Sequence, residues 1–331
     1  MTVSDTALVT GASGFVGPYM VAALEALGLH VVALAGPGGP AEAGPCNLPP
    51  AVNPTWRTLD LTDRAAVDAL IHDVRPAQVY HLAALSSVAA SFEAPTPTYE
   101  TNVMGTLHLL DALRRHAPAA RTVVVSSAEV YGGVTSPLPE STPLAPASPY
   151  AASKAAAEMI AIQHHRAYGL PVIRARSFSH TGPGQTARFA VSAFARQIAR
   201  IEVARQAPVL GVGNLSARRD FLDVRDVAAA YLALARLGVP GEVYNVCSGK
   251  AVAMQALLDG LLAHAKVGIT VERDPALDRP VDVPELRGDP SRLQADTGWK
   301  PEIPLDQTLQ DVLAYWRAKE PFLGDAPTGW A

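Results

Sequence analysis

The chain is poor in cysteine. Of its 331 residues only Cys46 and Cys247 carry a thiol. Two cysteines exclude a disulfide framework and a cysteine-rich metal site, and they fit a reducing cytoplasm. A long basic run is also missing, and the net charge is −4. That argues against nucleic acid or an anionic membrane as the main partner. No uninterrupted apolar stretch is long enough to span a bilayer. The N-terminal residues lack a basic segment followed by an apolar one, so no signal peptide is expected. Internal repeats and low-complexity tracts are absent. What remains is a chain with 49% hydrophobic and 18% charged residues. Such a composition supports a sizeable core, and the length allows one large or two modest domains.

The richest local signal is Val9-Thr10-Gly11-Ala12-Ser13-Gly14-Phe15-Val16-Gly17. It follows the apolar run Ala7-Leu8-Val9, which reads as a buried strand, and leads into the helical spacing of Tyr19 to Leu27. Strand, glycine-rich turn and helix make the first half of a βαβ unit. Gly11 permits the sharp turn, Gly14 lets a pyrophosphate approach the backbone, and Gly17 lets the helix pack close. The helix N-terminus offers free N–H groups to phosphate. The spacing differs from the usual G-x-G-x-x-G, so the reading as a dinucleotide site rests on the flanking strand and helix as well.

Further strands are predicted at His30–Ala35, around Thr55–Leu59, at Gln78–Leu82, Arg121–Ser127 and Val172–Phe178. Between them lie helices, one from about Thr98 to Arg115 with Val103, Leu107, Leu110 and Leu113 on its apolar face. Asp63 or Thr62 caps the helix after the third strand. Strands alternating with helices predict an α/β fold with a doubly wound parallel sheet. Ligands then bind beyond the carboxyl ends of the strands, where Gly11, Ala83 and Ser127 converge. His81 reads as a packed core histidine. The second strand ends in Ala35-Gly36, without the acid that would hold a ribose 2′-hydroxyl or an arginine for a 2′-phosphate. The choice between NAD(H) and NADP(H) is therefore open. Residues 36–50 read as an irregular loop. Beyond 178 the pattern changes. Helices around 187–204, 224–237, 252–265 and 305–318 alternate with short strands near Val209 and Val243, and 266–304 is loop-rich. The expected organisation is a dinucleotide-binding domain over 1–178, with 219–246 returning to it. A smaller, partly discontinuous substrate lobe covers 179–218 and 247–320, and 321–331 form a tail.

Ser127, Tyr150 and Lys154 form the chemical centre. Tyr150 and Lys154 lie four apart on one helix, hence on one face. A tyrosine with an ordinary pKa near 10 is a poor base at neutral pH, and the Lys154 ammonium one helical turn away, together with a positive nicotinamide ring, would lower it. Tyr150 then exchanges a proton with a hydroxyl or carbonyl while hydride moves to or from the cofactor, and Ser127 hydrogen-bonds the same oxygen.

With these residues in place the chain resembles the extended short-chain dehydrogenase/reductase family along nearly its whole length, with a Rossmann-type sheet. The resemblance rests on Gly11, Gly14, Gly17, Asp60-Leu61, His81-Leu82-Ala83-Ala84, Asn102, Ser127, Tyr150 and Lys154. It continues through Arg219-Asp220-Phe221-Leu222-Asp223-Val224 and Arg279-Pro280-Val281-Asp282-Val283. It implies that Ser13, Phe15, Val16, Leu61, Leu82, Ala83, Ala84, Asn102, Val125, Phe178 and His180 also line the cofactor site. It implies that Asp60 contacts adenine and that Lys154 also holds the nicotinamide ribose.

A narrower resemblance runs through Ser177-Phe178-Ser179-His180-Thr181-Gly182-Pro183-Gly184-Gln185, Arg196–Glu202, Gly213-Asn214-Leu215 and Tyr244–Gly249. These look like enzymes acting on GDP-6-deoxyhexoses, most of all GDP-4-keto-6-deoxy-mannose reductases, with GDP-mannose 4,6-dehydratases sharing several motifs. The implied substrate is a GDP-sugar, met by Ser86, Ser127, Glu129, Ser179, Asn214, Arg219, Arg279 and Asp282. Arg219 and Arg279 are candidates for its diphosphate and Asp282 for ribose hydroxyls. Ser179 stands where the family usually has asparagine. In dehydratases a glutamate at 129 removes the C5 proton, assisted by an acid or hydroxyl at 128. Ala128 cannot assist, which favours simple reduction. The resemblance also implies a homodimer built on helices at about 98–115 and 148–167, with Ala151, Ala152, Ala155, Ala156, Ala157, Met159 and Ile160 at the contact.

Overall fold

The computed structural model describes residues 6–39, 52–133, 137–277 and 283–323. The first half of the chain runs β1 (Thr6–Thr10), α1 (Gly17–Ala26), β2 (His30–Ala35), β3 (Thr55–Thr58), α2 (Arg64–Val74), β4 (Gln78–His81), α3 (Val88–Glu93), α4 (Pro95–Tyr99), α5 (Gly105–His116), β5 (Arg121–Ser127), α6 (Pro149–Tyr168) and β6 (Val172–Ser177). The second half runs β7 (Ser179–Thr181), α7 (Ala190–Glu202), β8 (Val209–Val212), β9 (Arg218–Asp223), α8 (Val224–Leu237), β10 (Val243–Val246), β11 (Ala251–Ala253), α9 (Met254–Leu262), β12 (Thr270–Arg273), β13 (Glu285–Leu286), α10 (Ser291–Thr297) and α11 (Leu305–Lys319). No helix among the described residues is long and apolar enough to cross a membrane.

Seven strands form one sheet in the order β3-β2-β1-β4-β5-β6-β10. Every neighbouring pair is parallel. The order reverses between β1 and β4, which opens a crevice at the carboxyl ends of those strands. Both faces of the sheet are covered, and this is why β1 is apolar at consecutive positions. Ala7 and Val9 join Met20 and Leu24 of α1 and Leu234 of α8 on one face. Leu8 faces the other way, into Val67 and Ile71 of α2 and Leu110 and Leu113 of α5.

A second sheet is centred on β9. It pairs antiparallel with β11 and parallel with β13 and β7. β8 and β12 make a separate parallel pair. Their core is built from Phe194 and Ile198 of α7, Leu257 and Leu261 of α9, and Leu309 and Leu313 of α11. Buried Glu320 receives Arg196 and Arg200, and Arg205 donates to the carbonyls of Pro321 and Leu323. The start of the expected tail is thereby tied down.

Three expectations need correction. The helix predicted from Thr98 to Arg115 is broken by a π turn at Glu100–Met104. The wider turn shifts the phase of the apolar positions. Leu109, Leu110, Ala112 and Leu113 are buried, whereas Val103 and Leu107 are only half-buried. The loop-rich stretch 266–304 contains β12, β13 and α10. β12 is exposed throughout and has no apolar alternation to reveal it. On α6, Ala151 and Ala157 are buried within the subunit and Ile160 packs on its core. Ala152, Ala156 and Met159 remain as the outward stripe.

Candidate active site

The glycine-rich turn is shaped by two close approaches. Gly11 has φ +68°, and a Cβ there would lie 2.7 Å from the Ala83 nitrogen. The turn after β1 is thus pressed onto the chain leaving β4. A Cβ on Gly17 would overlap the carbonyl oxygen of Ala12, so α1 enters against the turn itself. Gly14 donates to the Gly11 carbonyl at 2.9 Å. No side chain caps α1, and its first turn carries Pro18 and no acid. Free amides at the positive end of a helix, with no carboxylate competing, are what a pyrophosphate requires. Gly14 is exposed there, with Ser13 and Val16 half-buried beside it. Phe15 stacks on His180, centroids 5.9 Å apart and planes within 4°. His180 Nδ1 is 3.0 Å from the Phe178 carbonyl, and Tyr19 donates to the Pro183 carbonyl at 2.7 Å. The glycine turn and the chain around β7 are joined at this point.

Along the rest of the crevice, Leu82, Ala83 and Ala84 are half-buried after β4, and Val125 is half-buried in β5. After β3, Leu61 is buried. Asp60 is exposed and accepts from the amide and hydroxyl of Thr62 at 2.9 and 2.8 Å, which fixes the turn. Asp63 caps α2, accepting from Ala65 and Ala66.

The reactive groups meet where β5 ends. Ser148 caps α6 and Pro149 starts it. Tyr150 and Lys154 follow on one buried face. The amide of Tyr150 donates to Ser91 at 3.1 Å. Ser127 Oγ accepts from the Glu129 amide at 3.2 Å and caps a 3-10 turn over Ala128–Tyr131. The Tyr150 side chain is hydrogen-bonded to Ser127. Burial pushes the Tyr150 phenol up to about 12; the bond to Ser127 opposes this and the charge of Glu129 adds to it. Burial pulls Lys154 down to about 8, against the attraction of Glu158. In the protein alone desolvation outweighs the bond to Ser127, so the phenol is pushed up rather than down.

A hydrogen-bond chain backs this site. His81 is buried, with Nδ1 2.8 Å from Thr10 Oγ1 and Nε2 2.9 Å from Thr106 Oγ1. Thr106 donates to the Asn102 carbonyl at 2.6 Å, so it accepts from Nε2–H, and Thr10 donates to Nδ1. Burial, reinforced by the Lys154 charge, lowers His81 to about 3 and keeps it neutral. It is the packed histidine the sequence predicts. The Asn102 side chain accepts from the Leu85 amide at 2.8 Å and donates to the Leu85 carbonyl and to Ser153 Oγ. Ser153 in turn donates to the Tyr150 carbonyl at 2.7 Å. Asn102 thus clamps the strand-end loop onto α6.

The residues named for the sugar nucleotide are more dispersed. Ser86 is exposed after β4. Ser179 opens β7 opposite Phe221. Asn214 accepts from Ser216 within its own turn. Arg219 is buried on β9, with Nη1 donating to the Val283 carbonyl at 2.6 Å. Arg279 and Asp282 lie outside the described residues. Sequence reasoning missed a buried knot at Asp220. Its carboxylate accepts from Ser248 and from the amides of Gly249 and Gly288, fastening two loops beside the Phe178 ring. The available signal was weak: Asp220 stands among other charged residues of β9, Arg218, Arg219 and Asp223.

The reversed parallel sheet, the uncapped glycine turn and the Ser-Tyr-Lys cluster define a nucleotide-sugar enzyme fold of the short-chain dehydrogenase type. The family model for GDP-mannose 4,6 dehydratase matches residues 8–312, and the chain belongs to that family. It is 38% identical to GDP-6-deoxy-D-mannose reductase of Pseudomonas aeruginosa over 94% of this chain and 97% of that one. It is 32% identical to GDP-mannose 4,6 dehydratase 2 of Arabidopsis thaliana, over 92% and 84%. Among solved structures it is similar to RMD from Pseudomonas aeruginosa complexed with NADPH (TM-score 0.80, 35% identity, 95% of this chain and 99% of that chain). It is also similar to Thermus thermophilus UDP-glucose 4-epimerase complexed with NAD (TM-score 0.83, 30% identity, the same coverages).

Proposed function

We propose that the chain reduces the 4-keto group of a GDP-4-keto-6-deoxyhexose, GDP-4-dehydro-6-deoxy-D-mannose, to GDP-D-rhamnose or its C4 epimer. The observation that carries this reading is Ala128. It is buried and sits between Ser127 and Glu129, where C6–oxygen loss would need an acid or hydroxyl. Reduced nicotinamide, NADH or NADPH, supplies hydride to C4 when bound. The glycine turn with Ser13, Phe15 and Val16 would hold its pyrophosphate, and Asp60 and Leu61 its adenine. Asn102, Ala83, Val125, Phe178 and His180 would line the remainder. Tyr150, protonated at neutral pH, donates its proton to the 4-oxygen, Ser127 orients that oxygen, and the Lys154 ammonium steadies the phenolate left behind. Ser86, Glu129, Ser179, Asn214 and Arg219, with Arg279 and Asp282, would contact the sugar nucleotide.

The second reading is a GDP-mannose 4,6-dehydratase, favoured by one observation, the charge of Glu129 reaching Tyr150. The two separate in one experiment. The protein is given GDP-mannose, or its 4-keto-6-deoxy product, with NADPH or NADH. Loss of reduced-nicotinamide absorbance with the keto sugar alone supports reduction. Turnover of GDP-mannose without net cofactor change overturns it.

The assembly belongs to the same proposal. Residues 1–178 with 219–246 hold the dinucleotide, and 179–218 with 247–320 the sugar nucleotide; α8 packing on α1 and β10 pairing with β6 support the first grouping. Two subunits pair through α5 and α6 in the cytoplasm. The support is an outward surface with Met159 50% and Met104 42% exposed.

A further inference from the structure

Tyr150 and Lys154 are the first two members of a longer stripe. Four residues on, Glu158 is also fully buried on α6. Its carboxylate is gripped by Arg176 of β6, with Nε 2.9 and 3.1 Å from the two oxygens and Nη2 at 2.8 Å. Arg174 stands 3.9 Å away on the same strand. The remaining nitrogen of Arg176 donates to Tyr131 Oη at 3.0 Å and to the Glu140 carbonyl at 3.1 Å. Its guanidinium lies 4.8 Å over the Tyr131 ring. Tyr131 ends the turn that Ser127 caps and Glu129 occupies. It donates onward to Asn245 of β10 at 2.7 Å.

A buried ion pair adds little net stability over an apolar pair of equal size, so its presence calls for another account. Here Arg176 and Arg174 stand against one carboxylate that lies one helical turn from buried Lys154 on the same face of α6, and its charge acts on that ammonium as well. Of these three cations, lysine is the one that can shed its proton. We propose that Glu158, pinned by Arg176, is a positioning residue for this active site. It is the counter-charge that keeps Lys154 an ammonium, and through Arg176 and Tyr131 it fixes α6 against the turn bearing Ser127 and Glu129. The role rests on the reductive reading above, in which Lys154 must be charged. Other charged or titratable groups facing Lys154 and Tyr150 are His81 of β4, held neutral, Glu129 of the turn, and Tyr231 of α8. Among the described residues, Glu158 is the acid whose charge acts on Lys154.

The test reads Lys154 directly. The chain has five lysines, so protein labelled with [ε-13C]lysine gives few resonances, and Lys154→Arg identifies the one concerned. Glu158→Gln leaves the cations uncompensated, and the Lys154 titration midpoint should fall by about 1–3 pH units. Arg176→Gln leaves Glu158 unshared, and the midpoint should rise. The double variant, which removes both charges, should return it close to wild type and guards against loss of folding in either single variant. In the variants that turn over, the alkaline limb of kcat should follow the midpoint with KM little changed. A purely structural pair would lower Tm and move neither. An unmoved Lys154 midpoint in the single variants, or in the double variant a midpoint far from wild type, overturns the proposal. The titration needs no sugar, so a failure to reduce the keto sugar would sink the substrate reading alone.

Discussion

At the scale of single residues, the site separates proton transfer from everything else. Tyr150→Phe removes one hydroxyl from a buried ring whose backbone amide is held by Ser91. We predict a loss of about 10²–10⁴-fold in kcat with cofactor affinity kept within a few fold. Stopped-flow turnover and a fluorescence titration of reduced cofactor check the two halves. A variant retaining more than a third of wild-type kcat would remove Tyr150 from its role. Glu129 is the complementary case. Gln keeps its size, and the amide that bonds Ser127 belongs to the backbone. For a reductase, Glu129→Gln should stay within about tenfold of wild type on the keto sugar, against about 10²–10⁴-fold for loss of a positioned base. A thousandfold loss in a folded, cofactor-binding variant would show that the glutamate moves a proton.

Elements set where those residues stand. Gly17→Ala gains helix propensity worth at most about 1 kcal/mol. The added methyl must displace the backbone of Ala12, and overpacking of this kind costs about 1–3 kcal/mol. Denaturant unfolding should therefore show net destabilisation with weakened cofactor binding; an unchanged midpoint would mean that the turn yields easily. The chain through His81 makes a second prediction. Its pKa is about 3 folded against 6.5 when exposed. A depressed pKa leaves stability intact above 6.5 and erodes it as pH falls, by about 1.4 kcal/mol per unit until about 3. His81→Gln should flatten the slope of unfolding free energy between pH 6 and 5 by about that amount, and an unaltered slope would contradict a buried neutral imidazole. The parallel strands and the turn after β1 were legible in the sequence because their signals are local: apolar runs, a glycine where φ is positive, a serine before a helix. The β9 sheet was not. It joins residues 179–181, 218–223, 251–253 and 285–286, pieces too short to show a period. The π turn was hidden for a related reason, since its extra residue leaves composition unchanged while rotating Val103 and Leu107 out of the core. Arg176 and Glu158 each look ordinary in one dimension, and only the fold brings them together.

For the whole molecule, association is the property most open to measurement. If α5 and α6 form the subunit contact, Met159→Glu should halve the mass seen by solution scattering, with turnover falling less than mass. A wild-type chain that stays monomeric at every concentration would end that proposal. The sheet itself carries a consequence for how the protein is made. β10 joins β6, yet 65 residues separate the last of β6 from the first of β10, and that interval holds β7, α7, β8, β9 and α8. Synthesis runs from the N-terminus, and domains tend to fold as they emerge. The seventh strand cannot close until Val246 has left the ribosome, and the knot at Asp220 must wait longer still, for Gly288. The nascent chain therefore carries β6 as an open edge, the kind of surface that invites wrong pairing, throughout the synthesis of the 65 residues between β6 and β10.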